Sequence, residues 1–394
     1  MPAAVPIDLD HNATTPLWPE VADLLRRVQL ETPGNPESPH SAGRAARKVL
    51  EAARERLGEL LGCQQAGLER QTDRVIFTSG GTEANNLAIF GLGRSKETRA
   101  GEGSFLVTSA IEHPSIRAAA EHCERQGELV HQLPVDSRGV VELPRLQELL
   151  ASEPRPRIVS VMLANNETGV IQPVAEIAAL CRAAGVLCHT DAVQVAGKLP
   201  LDFGALGVDA LTLAAHKLHG PRGIGALVVR AGVPLQPQLY GGFQQTELRP
   251  GTESPALAAA MSRALEIAVA SQTERVAKLH ALQQRFEMGL RERCAPVVIH
   301  GGDAERLPQT TNAAFLGLDR QKLVLALDFA GVLCATGSAC ASGSSEPSPV
   351  LLAMNLSTEE VESSLRFSWG AMTTAEQIDT AVERIAATVA RLRS

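Results

Sequence analysis

The chain has 394 residues, 44% of them hydrophobic, which is enough to bury a large core in two domains or in one large α/β domain with an appendage. Its 37 basic and 44 acidic residues give a formal charge of −7, and no basic block or stripe is present, so nucleic acid is not expected as a partner. No apolar stretch approaches the roughly 18 residues of a membrane span and the N-terminus lacks the regions of a signal peptide, so we expect a cytoplasmic protein with no membrane partner.

The seven cysteines form no recognisable framework. Their number is odd, their spacing is irregular and no Cys-x-x-Cys pair occurs. This pattern predicts neither a set of disulfides nor a zinc or other metal site.

Short β-branched runs alternate with helix-like segments between about residues 70 and 230. Strands are predicted at 74–78, 104–108, 157–162, 186–189, 210–213 and 225–229, and helices at 82–93, 115–126 and 174–184. This rhythm predicts a largely parallel sheet covered by helices, with ligands bound at the carboxyl ends of the strands. A long helical tract from Pro255 to about Leu290 follows, and the chain closes with a helix whose capping box is Thr374 and Gln377.

The first predicted strand runs directly into a glycine turn, Ser79-Gly-Gly-Thr82, where a helix begins. Two glycines allow the backbone to approach an anion, and the free N–H groups of a helix start favour a phosphate there. The hydroxyl of Thr82 would add one donor. The same residues also suit a plain glycine turn with a capping threonine, and the segment alone does not decide between the two interpretations.

Polar side chains follow the next strands in the same way. His113 could stack on a flat cofactor and carry protons, and the polar run 164–169 suits hydrogen bonds to a ring oxygen or a substrate carboxylate. Asp191 ends a further strand, where its carboxylate could keep a pyridine nitrogen protonated or could cap a helix.

Lys217 lies where the apolar run 210–215 ends, with His216 before it and a glycine-proline turn after it. A lysine amine in this position could form a Schiff base with a bound aldehyde, because partial burial readily lowers the pKa of a lysine. A solvated surface charge is the alternative. Polar motifs at four successive strand ends favour a binding site.

These motifs resemble those of one enzyme family in order and approximate spacing. The matching segments are 78–86, Glu112-His113, 165–169, 191–194, His216-Lys217, 249–252, 337–342 and 364–368. They are similar to segments of the cysteine desulfurases, which are pyridoxal-phosphate enzymes of the class V aminotransferase, fold type I group. The resemblance covers nearly the whole chain.

The resemblance implies the architecture of a fold type I pyridoxal 5'-phosphate-dependent transferase, an α/β fold with a mainly parallel central sheet and a smaller α+β domain. We expect residues 18–272 to form the large cofactor-binding domain. Residues 1–17 and 273–394 would form the small domain, which carries the loop of the catalytic cysteine.

The resemblance also implies roles for individual residues. Lys217 would form the Schiff base with pyridoxal 5'-phosphate, Asp191 would pair with its pyridinium nitrogen, and His113 would stack on its ring. The other contacts to the cofactor would come from Gln194 at the phenolic oxygen and from Gly81, Thr82 and His216 at the phosphate. Asn166 and Arg366 would orient the substrate and bind its carboxylate, and Thr252 would reach the site of the neighbouring subunit in a homodimer.

Cys340 distinguishes this interpretation from a plain aminotransferase. It lies in a segment too rich in glycine and serine to be good core, so we expect an exposed, reactive thiol. The longer loop resembles that of the group I desulfurases. The implied activity converts L-cysteine to L-alanine and leaves the sulfur as a persulfide on Cys340. An acceptor protein would then take the sulfur for iron–sulfur cluster, thio-cofactor or tRNA biosynthesis.

The chain departs from the family at two places. Ala214 stands where relatives have a serine or threonine, so we expect the phosphate to be held about tenfold more weakly unless Thr212 or a water compensates. Phe243 and Gln245 stand where relatives have a glycine and a glutamate, next to the loop that carries Thr252.

Two other functions are compatible with parts of this pattern. A selenocysteine lyase or another class V aminotransferase would not need Cys340 for turnover of its own substrate. A non-catalytic sulfur carrier would not need the complete set of Lys217, Asp191 and His113.

Overall fold

The structure is a computed structural model that describes residues 5–94, 105–337 and 346–394. Its strands are β1 (Ile7–Asp8), β2 (Arg74–Thr78), β3 (Phe105–Ser109), β4 (Leu129–Leu133), β5 (Pro156–Ser160), β6 (Leu187–Asp191), β7 (Ala210–Ala214), β8 (Gly225–Val229), β9 (Val297–Ile299), β10 (Thr310–Phe315), β11 (Val332–Leu333) and β12 (Ser364–Ser368). Its α-helices are α1 (Pro19–Glu31), α2 (Ser41–Leu60), α3 (Gly81–Gly91), α4 (Pro114–Arg125), α5 (Leu143–Leu150), α6 (Val174–Ala184), α7 (Phe203–Leu206), α8 (Pro255–Ala270), α9 (Gln272–Arg293), α10 (Arg320–Phe329), α11 (Pro349–Ala353), α12 (Thr358–Glu362) and α13 (Ala375–Arg393).

A seven-stranded sheet forms the centre of the molecule, in the order β2-β8-β7-β6-β5-β3-β4. Strands β3 to β7 pair in parallel, and β8 pairs antiparallel with both β2 and β7. The other six strands therefore run in one direction, and their carboxyl ends meet at one edge. This mainly parallel α/β architecture confirms the predicted fold class.

The strands are apolar because helices cover both faces of the sheet. Strands β2, β3, β5, β7 and β8 are buried along their whole length, as expected for a doubly covered parallel sheet. All six predicted strands are present. The edge strand β4 was missed, because its half-exposed sequence Leu-Val-His-Gln-Leu has neither a continuous apolar run nor a clean alternation.

A second hydrophobic core lies around a three-stranded antiparallel sheet, in the order β12-β10-β9. Helices α9, α10 and α13 pack on it, and the N-terminal strand β1 pairs in parallel with β11 beside it. The N-terminal residues thus join the C-terminal part of the chain, and β12 delivers Arg366 towards the central sheet.

The helical tract after Pro255 is two helices, contrary to the single continuous segment that we predicted. Helix α8 ends and α9 begins around Ser271, whose own backbone is not helical. The predicted capping box of α13 is confirmed, since Thr374 and Gln377 each accept the other's backbone N–H. Among the described residues, no helix is both long and apolar enough to cross a membrane.

Candidate active site

One cavity of about 170 Å³ lies at the carboxyl edge of the central sheet. Nine of the predicted site residues line it: Gly81, Thr82, His113, Asn166, Asp191, Gln194, His216, Lys217 and Arg366. A wider surface groove of about 920 Å³ around Phe90 and Tyr240 contains none of these residues. The polar motifs of separate strands therefore meet in one place, as the parallel topology requires.

Lys217 stands in a short 3-10 turn immediately after β7. Its Nζ donates hydrogen bonds to the carbonyl oxygens of Asn12 and of Ala13, the second at 2.7 Å. Asn12 belongs to the segment after β1, and its own side chain donates to the Asn166 carbonyl at 3.1 Å. The N-terminal segment thus positions the amine inside the cavity.

Asp191, the last residue of β6, is the centre of a hydrogen-bond network. Its Oδ2 accepts from Asn85 Nδ2 at 2.7 Å and its Oδ1 accepts from the Val193 N–H at 2.9 Å. Asn85 also donates to Ser115 Oγ at 2.9 Å, and that hydroxyl lies 2.8 Å from His113 Nδ1. Asn85 and Ser115 therefore connect the carboxylate to the histidine ring through hydrogen bonds.

The two histidines of the site have lowered pKa values because they are buried in the cavity. Burial, reinforced by the positive charge of Lys217, lowers the pKa of His216 to about 4. Burial also lowers the pKa of His113. Glu112 behaves in the opposite sense, since full burial and then the nearby charge of Asp191 raise its pKa to about 8.

An anion cradle lies at the start of α3. A Cβ on Gly81 would lie 3.1 Å from a Val193 methyl and 3.4 Å from Ala214 Cβ, so only glycine leaves this wall of the cavity open. The first N–H groups of an eleven-residue helix have no partner within the helix and favour an anion. His216 adds a ring nitrogen, with Nδ1 3.2 Å from Thr14 Oγ1.

The structure places Ala214 in the wall of this cradle, as part of the cavity lining. Thr212 is fully buried, and its hydroxyl lies 3.0 Å from His189 Nε2, which is in turn held by Ser160 through Nδ1 at 2.9 Å. The contact that the structure shows for the Thr212 hydroxyl is therefore with His189 and not with a group of the cradle.

Arg366 brings a buried guanidinium to the opposite side of the cavity. Its side chain is 1% exposed, with one terminal nitrogen donating to Asp10 Oδ1 at 2.7 Å and the other to the Asn166 carbonyl at 3.2 Å. Its Nε has no partner among the described residues. A guanidinium held at both ends in this way is preorganised to bind a carboxylate.

Among the described residues, one predicted site residue lies apart from the cavity. Thr252 is exposed and lines a separate cavity of about 150 Å³ with Thr78, Ser79 and Arg249. Cys340 lies outside the described residues, so its predicted exposure stays a prediction.

The loop before Thr252 contains Gln245, which stands where relatives have a glutamate, and the structure shows what its side chain contacts. Gln245 is buried, accepts from the Phe77 N–H and donates to the Phe77 carbonyl, both at 2.8 Å. Arg54, fully buried, donates to the Gln245 side chain and pairs with Glu253 at 3.1 Å. Gln245 and the two residues after it all have φ between 48° and 65°, which is unusual for residues other than glycine.

Sequence reasoning assigned no role to several residues that orient the site. Asn12, Asn85, Ser115 and Lys198 all hydrogen-bond to predicted site residues or to their partners. Asn85 lies one helical turn after Gly81, so a helix beginning at the glycine turn could have suggested that it faces the cavity. No comparable local signal links Asn12 to Lys217, because 205 positions separate them.

Known proteins are similar to this chain over nearly its whole length. Residues 7–381 match the aminotransferase class-V family. A cysteine desulfurase of Cereibacter sphaeroides is 40% identical, covering 98% of this chain and 96% of the relative. The cysteine desulfurase IscS of Dictyoglomus turgidum is 36% identical, covering 98% and 95%.

Solved structures agree with these sequence matches. A NifS-like protein superposes with a TM-score of 0.89 at 30% identity, covering 98% of this chain and 100% of that protein. The NifS-like protein of Rickettsia africae gives a TM-score of 0.86 at 31% identity, covering 97% and 99%. A structure described as SspA in complex with cysteine gives 0.77 at 29% identity, covering 93% and 99%.

Proposed function

Because the chain belongs to the aminotransferase class-V family and is a cysteine desulfurase like its full-length relatives, we propose that it uses pyridoxal 5'-phosphate at the cavity of Lys217 to act on L-cysteine. The meeting of an amine, a carboxylate and an anion cradle in that one cavity carries the proposal. The residues fit the cofactor, since Gly81 leaves room for a phosphate beside the start of α3, while Asp191 offers a carboxylate to its ring nitrogen and Lys217 offers an amine to its aldehyde.

When bound, the protonated pyridine ring of this cofactor is an electron sink that stabilises a negative charge at the substrate Cα. Asp191, whose carboxylate is oriented by Asn85, would pair with the ring nitrogen and keep it protonated. Lys217 would hold the cofactor through its aldehyde, and its amine would move the proton at the substrate Cα. His113 would stack on the ring, and burial lowers the pKa of its imidazole, which favours the neutral form that can accept a proton.

The substrate is held by its carboxylate. Arg366 binds it with a guanidinium already oriented by Asp10, and Asn166 lies beside it. Gly81, Thr82 and His216 hold the phosphate, and His216 does so as a neutral donor because its pKa is about 4. Gln194 contacts the phenolic oxygen.

Cys340 receives the sulfur. Its thiolate attacks the sulfur of the bound substrate, so that an S–S bond forms while the Cβ–S bond breaks and its electron pair returns to the carbon skeleton. After reprotonation the products are L-alanine and a persulfide on Cys340, with no external oxidant or reductant required. An acceptor protein then takes the outer sulfur atom.

The proposed function also implies a domain organisation and a homodimer. We propose that residues 18–272 form the large domain and that residues 1–17 and 273–394 form the small one, a division supported by the core around the antiparallel sheet, whose residues all come from these two terminal segments. The exposure of Thr252, away from the cavity of its own chain, supports a homodimer in which it reaches the partner's site. The cytoplasm is the proposed location.

The deciding experiment is incubation with L-cysteine and a thiol reductant, with alanine and sulfide measured together. The native chain should release both in equal amounts, and Cys340→Ala should release neither at a comparable rate. Cys334→Ser is the matched control, because burial raises the pKa of that thiol and keeps it unreactive at neutral pH. Normal alanine release by Cys340→Ala would refute the assignment.

A selenocysteine lyase was the alternative function. It would degrade L-selenocysteine without the Cys340 thiol and would release little sulfide from L-cysteine. The cysteine desulfurase names of the relatives favour the first assignment, and the same incubation with L-selenocysteine separates the two.

A further inference from the structure

Lys198 is a buried amine outside the cavity lining. It is 8% exposed, and burial, with the charge of Lys217 as a further cause, lowers its pKa to about 7. No carboxylate lies within 4.0 Å of it in the part of the chain that the structure describes. A buried amine without a counter-ion destabilises a fold, so its position calls for a function.

The hydrogen bond that Lys198 does make leads into the site. Its Nζ donates to Gln194 Oε1 at 3.0 Å. Gln194 lies four residues earlier in the turn after β6, where Lys198 N donates to the Val195 carbonyl at 2.9 Å. Gly197, with φ of 72°, completes that turn and brings the lysine side chain back towards Gln194.

The opposite end of the Gln194 amide is held as well. Its Nε2 donates to the Asn12 carbonyl at 3.1 Å, the same oxygen that accepts from Lys217. A carbonyl oxygen can only accept, so Asn12 selects the NH2 end of the amide, and Lys198 in its protonated form can only donate and selects the oxygen end. Together they determine which end of Gln194 is carbonyl and which is NH2.

We propose that Lys198 is a positioning residue that fixes the polarity of the Gln194 amide, so that Gln194 presents a donor and not an acceptor to the phenolic oxygen of the cofactor. This inference rests on the proposed function. A donor at that oxygen stabilises its ionised form, whereas a flipped amide would oppose it.

The test uses Lys198→Met, which keeps the length of the side chain and removes its donors. The protein is loaded with pyridoxal 5'-phosphate, and its visible absorbance is titrated against pH. The midpoint should rise by about one pH unit relative to the native chain, because one hydrogen bond to a charged oxygen is lost. This readout does not depend on turnover.

The same substitution in a Gln194→Ala background separates positioning from other effects. If Lys198 acts through Gln194, adding Lys198→Met to the Gln194→Ala variant should leave the midpoint of its pH titration unchanged. An equal rise in both backgrounds would show a direct charge effect or a general loosening, and an unmoved midpoint in the native background would show no role. Either result overturns the proposal.

Two controls keep the outcome interpretable. If Lys198→Met does not fold, as judged by thermal unfolding of the cofactor-free chain, Lys198→Gln takes its place, since an amide can accept as well as donate and no longer selects one end of Gln194. It should raise the midpoint in the same direction and by a smaller amount, and an unchanged midpoint would again overturn the proposal. Failure of the proposed function itself would look different, because the native chain would then show no visible band sensitive to Lys217→Ala.

Discussion

Ala214→Ser should tighten the binding of the cofactor phosphate. The Ala214 methyl lies 3.4 Å from the position of a Cβ on Gly81, in the wall of the anion cradle, so a hydroxyl there would be close to the phosphate. The hydroxyl of the neighbouring Thr212 lies 3.0 Å from His189 Nε2 instead.

The expected gain follows from one charge-assisted hydrogen bond. Such a bond contributes about 1.5–3 kcal/mol, and each 1.4 kcal/mol is about a factor of ten in affinity. The added oxygen fills little volume, so we expect the lower end of this range, roughly a tenfold decrease in the Kd for pyridoxal 5'-phosphate.

The assay titrates the cofactor-free chain with pyridoxal 5'-phosphate and follows the quenching of tryptophan fluorescence. Ala164→Ser is the matched control, since Ala164 lines the same cavity but lies in the segment after β5, apart from the start of α3. Ala164→Ser should leave the Kd unchanged. An unchanged Kd for Ala214→Ser, or an equal gain in the control, would refute the reasoning.

Three further substitutions test the electrostatics and backbone of the site by thermal unfolding of the cofactor-free chain. The pKa of Glu112 is about 8 in the folded chain against 4.5 ordinarily, so native stability should fall as pH rises between these values, at up to about 1.4 kcal/mol per pH unit. Glu112→Gln keeps the Oε1 atom that accepts a hydrogen bond from Ser109. This variant should unfold at a higher temperature than the native chain at pH 9 but not at pH 4. Unfolding temperatures of the two proteins that change in parallel with pH would contradict this. Glu247→Gly relieves a φ of 65° and should stabilise the chain by about 1 kcal/mol, whereas Glu247→Ala should not. Arg54→Met leaves the carboxylate of Glu253 buried without its partner and should cost about 3–5 kcal/mol, with partial recovery in the double variant that adds Glu253→Gln.

The residues at strand ends could be placed from the sequence because the signal is local. An apolar run predicts a strand, and in a parallel sheet the residue after each run lies at the same edge. This reasoning brought Thr82, His113, Asp191 and Lys217 to one edge of the sheet, and in the structure the four residues line one cavity. The family resemblance added Arg366, whose distance along the chain gives no local hint of the cavity.

Tertiary structure alone decided how these groups are oriented. Asp10 accepts a hydrogen bond from Arg366, which is 356 positions away in the sequence. The Asn12 carbonyl accepts one from Lys217, which is 205 positions away. Both contacts form because β1 packs with the C-terminal core. A hydrogen bond between distant residues depends on side-chain directions after packing, and periodicity in the sequence carries no record of these directions. Lys198 illustrates the same point at short range, since its charge is visible in the sequence but its burial against Gln194 is a property of the folded turn.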